Sequence, residues 1–294
     1  MVMIKFSYIL KLFLLIVRLV VLKIFTNEYN KEISYIFKKL LSHGNYIAPI
    51  CMFPYEKQNK VDDIVADIDN NLNLPYVIHH EKRLYFPRSY SIDKAVKVYR
   101  NFIEEECILG GNYKEKQPHQ YQTESFKINR GDVLVDVGCA EAILTLDNID
   151  KISKAYLFEG DSKWLPVLKA TFQKYSNKVI IIGKYVTDAD TEETITLRTA
   201  LARETGKSLF VKLDIEGAEV DVLKGSKEFL SNNHNIKLAC CTYHRHDDER
   251  NVISLVKEMG FEYELSDGYM YNIWDEKDMR YPYFRHVLLR GWKD

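Results

Sequence analysis

The stretch Val133-Leu134-Val135-Asp136-Val137-Gly138-Cys139-Ala140-Glu141-Ala142 decides how this chain is read. A short β-branched run that ends on an acid and a glycine is the pattern of a buried strand turning sharply at its carboxyl end. The same pattern recurs on either side. Residues 155–158, Val179–Ile182, Leu209–Leu213 and 236–242 are four more candidate buried strands, and residues 164–175, 218–230 and 249–259 between them carry helical periodicity. Such alternation predicts an α/β sheet, mostly parallel and covered by helices on both faces. Residues 261–266, 269–273 and 283–289 then read as three short strands with no helix between them, which predicts an antiparallel C-terminal edge.

In an open parallel sheet the ligand lies outside the carboxyl ends of the strands, so the residues that end each run matter most. Strand one ends in Asp136, Gly138, Ala140 and Glu141, and strand two in Glu159, 23 residues after Asp136. That spacing places a carboxylate to accept both hydroxyls of a ribose. Strand three is followed by Thr187 and Asp188, the latter suited to accept from an adenine amine, and strand four ends in Lys212, Asp214 and Glu216. A dinucleotide site wants three spaced glycines to hold a pyrophosphate, but here only Gly138 is present and Glu141 adds a repelling charge. The acids suit a nucleoside that carries a cation, which points to S-adenosylmethionine.

Composition narrows the class further. The 294 residues include 41 Lys+Arg and 42 Asp+Glu, and 46% are apolar, as in a globular protein with a substantial core. The net charge of −1 gives no support for nucleic acid as a general partner. The five cysteines are odd in number and form no C-x-x-C pair, so neither a disulfide framework nor a structural zinc site is expected, and a cytoplasmic, reducing location fits.

The charge is uneven: Lys5, Lys11, Arg18 and Lys23 make residues 1–25 +4, leaving −5 for the rest. Residues 1–26 are too often interrupted by charge to span a bilayer, which needs about 20 apolar residues. They read as a basic amphipathic helix that meets either the inner face of a membrane or a protein surface. Residues 27–126, rich in Tyr, Lys and Asn, carry mixed helical and irregular signals, clearest as a helix over 92–108. This region is expected to form a cap or acceptor-side wall with a contact for a homodimer, and residues 127–294 the main domain.

Phe210-Val211-Lys212-Leu213-Asp214-Ile215-Glu216-Gly217-Ala218-Glu219, followed by Val222-Leu223-Lys224-Gly225, resembles the signature of FkbM-type S-adenosylmethionine-dependent methyltransferases. The strand-one run, Leu157-Phe158-Glu159, and Cys241-Thr242-Tyr243-His244-Arg245 match in the same order, and Pro118-His119-Gln120-Tyr121 resembles an element of bacterial members linked to glycan synthesis. The resemblance covers roughly residues 117–291. It implies a class I methyltransferase fold with a seven-stranded Rossmann-like sheet, S-adenosylmethionine as cofactor, and methyl transfer to a hydroxyl, often of a sugar. It departs at Ala142, where glycine is usual, and a methyl there is expected to press on the methionine end of the cofactor.

Methyl transfer of this kind is an in-line displacement that needs close alignment and a group to take the hydroxyl proton. His244, with an ordinary pKa near working pH, is the first candidate for that base. Asp214 is expected to orient cofactor or acceptor, and Lys212 and Glu216 to pair at the surface. The run from His244 to Glu249 approaches a zinc-hydrolase pattern, but its acids read better as caps of the following helix, and no metal is expected. Two other readings stay open. One is a catalytically silent binding or scaffold member, suggested by Ala142; the other is a hydrolase using the His244–Glu249 run.

Overall fold

The computed structural model describes residues 13–14, 16–24, 27, 29–34, 37, 50–53, 63–106, 118–272, 282 and 284–294. In chain order its elements are β1 (Ile50–Phe53), β2 (Ala66–Asp69), β3 (Leu74–His79), β4 (Lys82–Tyr85), α1 (Ile92–Glu106), β5 (Val133–Val137), α2 (Ile143–Asn148), β6 (Lys154–Phe158), α3 (Leu165–Thr171) and β7 (Val179–Ile182). Then follow β8 (Tyr185–Val186), β9 (Thr194–Ile195), α4 (Leu197–Ala200), β10 (Leu209–Leu213), α5 (Glu219–Gly225), α6 (Lys227–Asn232), β11 (Ile236–Cys241), α7 (Asp248–Glu258), β12 (Glu262–Leu265), β13 (Tyr269–Asn272) and β14 (Leu288–Lys293).

Seven strands form the main sheet in the order β12-β14-β11-β10-β5-β6-β7, and β14 alone runs antiparallel to its neighbours. The order reverses between β5 and β10, which leaves a crevice at their carboxyl ends. Strand alternation divides the core in two. Leu134, Leu157, Phe210 and Ala239 pack on one face, and Val133, Val135, Tyr156, Val211 and Leu238 on the other. Both faces are apolar because both are covered, as the five β-branched runs require.

Parallel register sets Lys212 directly beside Asp136, on the same face as Leu134 and Phe210. Both are buried, and Lys212 Nζ lies 3.3 Å from Asp136 Oδ1. The expected surface pairing of Lys212 with Glu216 is therefore wrong: Glu216 sits beyond the strand end and is 94% exposed, whereas alternation carries Lys212 inward.

Other expectations change in detail. The helix read over 218–230 is two helices, α5 and α6, broken at the buried Ser226. The strand expected over 269–273 does not join the main sheet; β13 pairs antiparallel with β1 instead. The last strand begins at Leu288, later than the 283–289 run suggested. Residues 27–126 hold more strand than their mixed signals implied, since β2, β3 and β4 form an antiparallel sheet. Leu74, Val77 and Leu84 of that sheet share one core with Leu134, Ile143 and Leu168. Helix α1 matches the 92–108 expectation as far as Glu106; residues 107–117 lie outside the described residues.

Residues 16–24 are helical, as the amphipathic reading of 1–26 predicts for that part; residues 1–12 lie outside the described residues. Leu19 and Leu22 are buried, whereas Phe13, Val17, Val20, Val21 and Ile24 are exposed. Among the described residues no helix is long and apolar enough to cross a membrane.

Candidate active site

A cleft of about 650 Å³ opens at the carboxyl ends of β5, β6 and β10. Its floor is the loop after β5, and its geometry explains the sequence there. Gly138 has φ of 71°, and a Cβ on it would stand 2.1 Å from the carbonyl oxygen of Asp214. Only glycine lets the two strand ends come this close. Lys212 Nζ donates to Gly138 O at 2.7 Å, tying the loop to β10.

Of the residues expected to hold cofactor, Gly138, Ala140, Glu141, Glu159, Thr187 and Asp214 line the cleft. Glu159 is fixed by two backbone donors, with Ala140 N 2.9 Å from Oε2 and Asp161 N 2.8 Å from Oε1. A carboxylate has about four acceptor positions, so this one keeps capacity for ribose hydroxyls. Glu141 is buried with Oε2 unpartnered, and burial pushes its carboxyl up to about 8. A buried acid with one oxygen unpartnered fits a cationic ligand such as an amino group or sulfonium.

Two expected cofactor contacts lie elsewhere. Asp136 does not reach the cleft: it is buried beneath it, paired with Lys212, and accepts from Thr145 Oγ1 at 2.8 Å. Its place inside the strand, two residues before the glycine, points it into the core. Asp188 is exposed and outside the cleft, because Thr187 closes a tight turn by donating to Ala189 O at 3.0 Å. Ala142 also differs from expectation. It has φ of 59° and is buried in the core, so its methyl faces apolar neighbours and not the cleft. The family's glycine preference there answers a left-handed backbone, which costs an alanine about 1–2 kcal/mol.

Asp214 is the most heavily engaged group of the cleft. Tyr121 Oη donates to its Oδ2 at 2.6 Å, His119 Nε2 lies 3.5 Å from Oδ2, and His244 Nε2 lies 3.4 Å from Oδ1. Burial opposes its charge, but His119, Lys212 and His244 outweigh this and hold the carboxyl well below its usual range. His244 in turn has Nδ1 2.8 Å from Oε1 of the buried Glu219, which also accepts from Ile215 N. Burial works to lower the pKa of His244, yet Glu219, Asp214 and Glu216 together raise it. An imidazole held between two carboxylates is favourable as the imidazolium. His244, expected as the base, does not itself line the cleft.

His119, Tyr121 and Glu219 were not singled out as site residues from sequence. The first two lie nearly a hundred residues before Asp214, and only the Pro118–Tyr121 resemblance hinted at them. The His244–Glu249 run does not converge on one point. His244 turns to Glu219, His246 to Asp247, and Glu249 binds the backbone N–H of His286 at 2.7 Å. Asp248 Oδ2 accepts from Arg245 N at 2.6 Å, so this acid organises the turn into α7.

A seven-stranded sheet in this order, with a glycine turn and a ribose-type carboxylate at its crevice, defines a class I methyltransferase. The description "Methyltransferase FkbM domain" matches residues 110–263, more than half of the 294-residue chain, and the chain belongs to that family. Its cofactor is S-adenosylmethionine, with which the acids of the cleft agree. Among curated proteins no sequence matches. Solved structures give distant likenesses. Precorrin-6y C5,15-methyltransferase from Geobacter metallireducens is 9% identical, with a TM-score of 0.38 over 57% of this chain and 82% of that one. A Streptococcus mutans protein in complex with SAH is 14% identical, with a TM-score of 0.36 over 56% and 90%. Trm5b from Pyrococcus abyssi is 10% identical, with a TM-score of 0.40 over 78% of this chain and 62% of that one.

Glu141 generates a prediction. With its pKa raised to about 8 it is protonated at pH 7, and a cation placed against it favours the ionised form. Cofactor binding at pH 7 is therefore expected to release about one proton, and affinity to rise with pH until it levels above the raised pKa. Calorimetry in buffers of different ionisation enthalpy measures this; binding with no proton release would contradict it.

Proposed function

We propose that this protein is an O-methyltransferase that uses S-adenosylmethionine to methylate a hydroxyl of a sugar, glycan or related metabolite. The observation that carries the reading is Asp214, an ionised carboxylate on the cleft wall at the end of β10, oriented by Tyr121, His119 and His244. The cofactor supplies an electrophilic methyl carbon on a sulfonium. Asp214 accepts a hydrogen bond from the acceptor hydroxyl and so aims its lone pair. A hydroxyl oxygen becomes strongly acidic only as it bonds to carbon, so a carboxylate of low pKa suffices to take the proton late in the reaction. His244 acts as a positioning residue: as an imidazolium buttressed by Glu219, it holds Asp214 in place and ionised. The rim of Asp161, Lys163, Lys184 and Glu216 offers charged hydrogen-bonding groups, which suits a hydroxyl-rich acceptor better than an apolar one. Tyr76 and Tyr85 are engaged by Arg83 and Asp69 and so are not free to stack on a sugar ring.

Asp214→Asn keeps the shape but removes the charge. It is expected to slow methyl transfer about 10²–10⁴-fold, with cofactor affinity changed less than about tenfold. The assay is transfer of labelled methyl to cell-envelope glycans. Label absent from glycans with the wild type, or transfer unchanged by the substitution, would contradict the reading.

The exposed residues Phe13, Val17, Val20, Val21 and Ile24 fall at helical spacing on one face, beside Arg18 and Lys23. That stripe favours a location at an anionic membrane surface, with the apolar side chains inserted. Deleting residues 2–25 is expected to move the protein from the membrane pellet to the supernatant; continued pelleting would refute it.

A further inference from the structure

The turn between β3 and β4 brings two adjacent imidazoles against one carboxylate, and none of the three residues lines the cleft. His79 ends β3 and is fully buried; His80 follows with φ of 46° and a side chain 44% exposed. Both face Asp147 near the end of α2. His79 Nε2 lies 3.3 Å and His80 Nδ1 3.0 Å from the same oxygen, Oδ1, and the three donor atoms fall within 4.8 Å of one another.

His79 Nε2 is buried, yet it makes no hydrogen bond of acceptable geometry although Oδ1 is near. A tetrahedral ion with bonds of about 2.0–2.1 Å keeps its donor atoms about 3.3 Å apart, each lone pair pointing about 35° off the line to its neighbour. Donors close together but not facing one another are what such a site requires. The surroundings agree. Tyr99 Oη lies 3.0 Å from His79 Nδ1, the ring nitrogen that a metal would not use. A neutral ring that donates Nδ1–H to Tyr99 presents the Nε2 lone pair to a carboxylate, a repulsive pairing that a cation between them reverses. Lys82, the nearby cation, is engaged with Asp150 at 2.9 Å.

We propose that His79, His80 and Asp147 bind one divalent ion of the zinc class. Two nitrogens and one oxygen suit zinc, cobalt or nickel over magnesium or calcium, and the half-exposed His80 leaves a fourth position for water. The ion fastens the β3–β4 turn to α2, the helix that follows the cofactor loop, and so ties the antiparallel sheet to the main one. This revises the expectation of no metal and does not depend on methyl transfer.

The test is a zinc chloride titration of the full-length protein after chelator treatment and dialysis. One equivalent is expected at micromolar affinity or tighter. His80→Asn, which suits the left-handed backbone, is expected to weaken that equivalent at least about 100-fold. Tyr99→Phe is expected to weaken it about 10–100-fold while the circular dichroism spectrum stays unchanged. No stoichiometric uptake by the wild type overturns the proposal: Tyr99 then donates to Nδ1, and Nε2–H faces Asp147. An equivalent that survives both His80→Asn and Asp147→Asn overturns it too.

Discussion

Everything at the cleft depends on the buried pair of Asp136 and Lys212, neighbours in register on β5 and β10. Burying two charges costs several kcal/mol each, and their attraction offsets this only if the remaining hydrogen-bonding capacity is also used. Here Lys212 Nζ donates to Gly138 O as well, and Asp136 accepts from Thr145 at the start of α2. One ammonium group therefore sets the position of the glycine turn relative to the end of β10. That turn has room only for glycine, because the carbonyl of Asp214 lies against it. The cofactor loop and the candidate catalytic carboxylate are thus positioned by one local arrangement.

Above that pair the charges are sorted by depth. Asp214 is held ionised by His119, Lys212 and His244 against the opposing effect of burial, while Glu141, in the loop that follows Val137 at the end of β5, is held neutral by burial. Two acids in one cleft thus differ in charge at neutral pH because their partners differ. Both line the cleft, and the neutral one can gain its charge when a cation arrives. Neither arrangement needs any residue of the N-terminal helix, whose apolar stripe faces outward.

The sheet was legible because its strands are buried on both faces, so Val133–Val137, Val179–Ile182 and Leu209–Leu213 read as continuous apolar runs. The glycine turn and the strand-end acids marked the crevice because they interrupt those runs at their carboxyl ends. Sequence was less informative where a residue's direction mattered. Asp136 and Glu159 look alike as strand-end acids, but Asp136 lies within β5 and is buried against Lys212, whereas Glu159 lies one residue beyond β6, at the cleft. Asp188 reads as a third such acid, yet the turn made by Thr187 carries it outward. Ala142 looks like an obstruction, whereas its importance is for the backbone. His119 and Tyr121 stayed hidden because nothing local links them to Asp214; only the fold brings residues 93 apart in sequence into hydrogen bond. The antiparallel sheet of β2–β4 was missed because its strands are short and their polar faces break the apolar pattern.

The most direct measurement is a calorimetric titration with S-adenosylmethionine of the wild type and of Lys212→Met, with folding followed by circular dichroism. If the buried pair positions the cofactor site, the wild type binds one equivalent. The variant then loses at least about tenfold in affinity and about 3–5 kcal/mol in stability, since Asp136 is left buried without a counter-charge. A wild type that does not bind the cofactor, or a folded Lys212→Met that binds it equally well, would contradict the account.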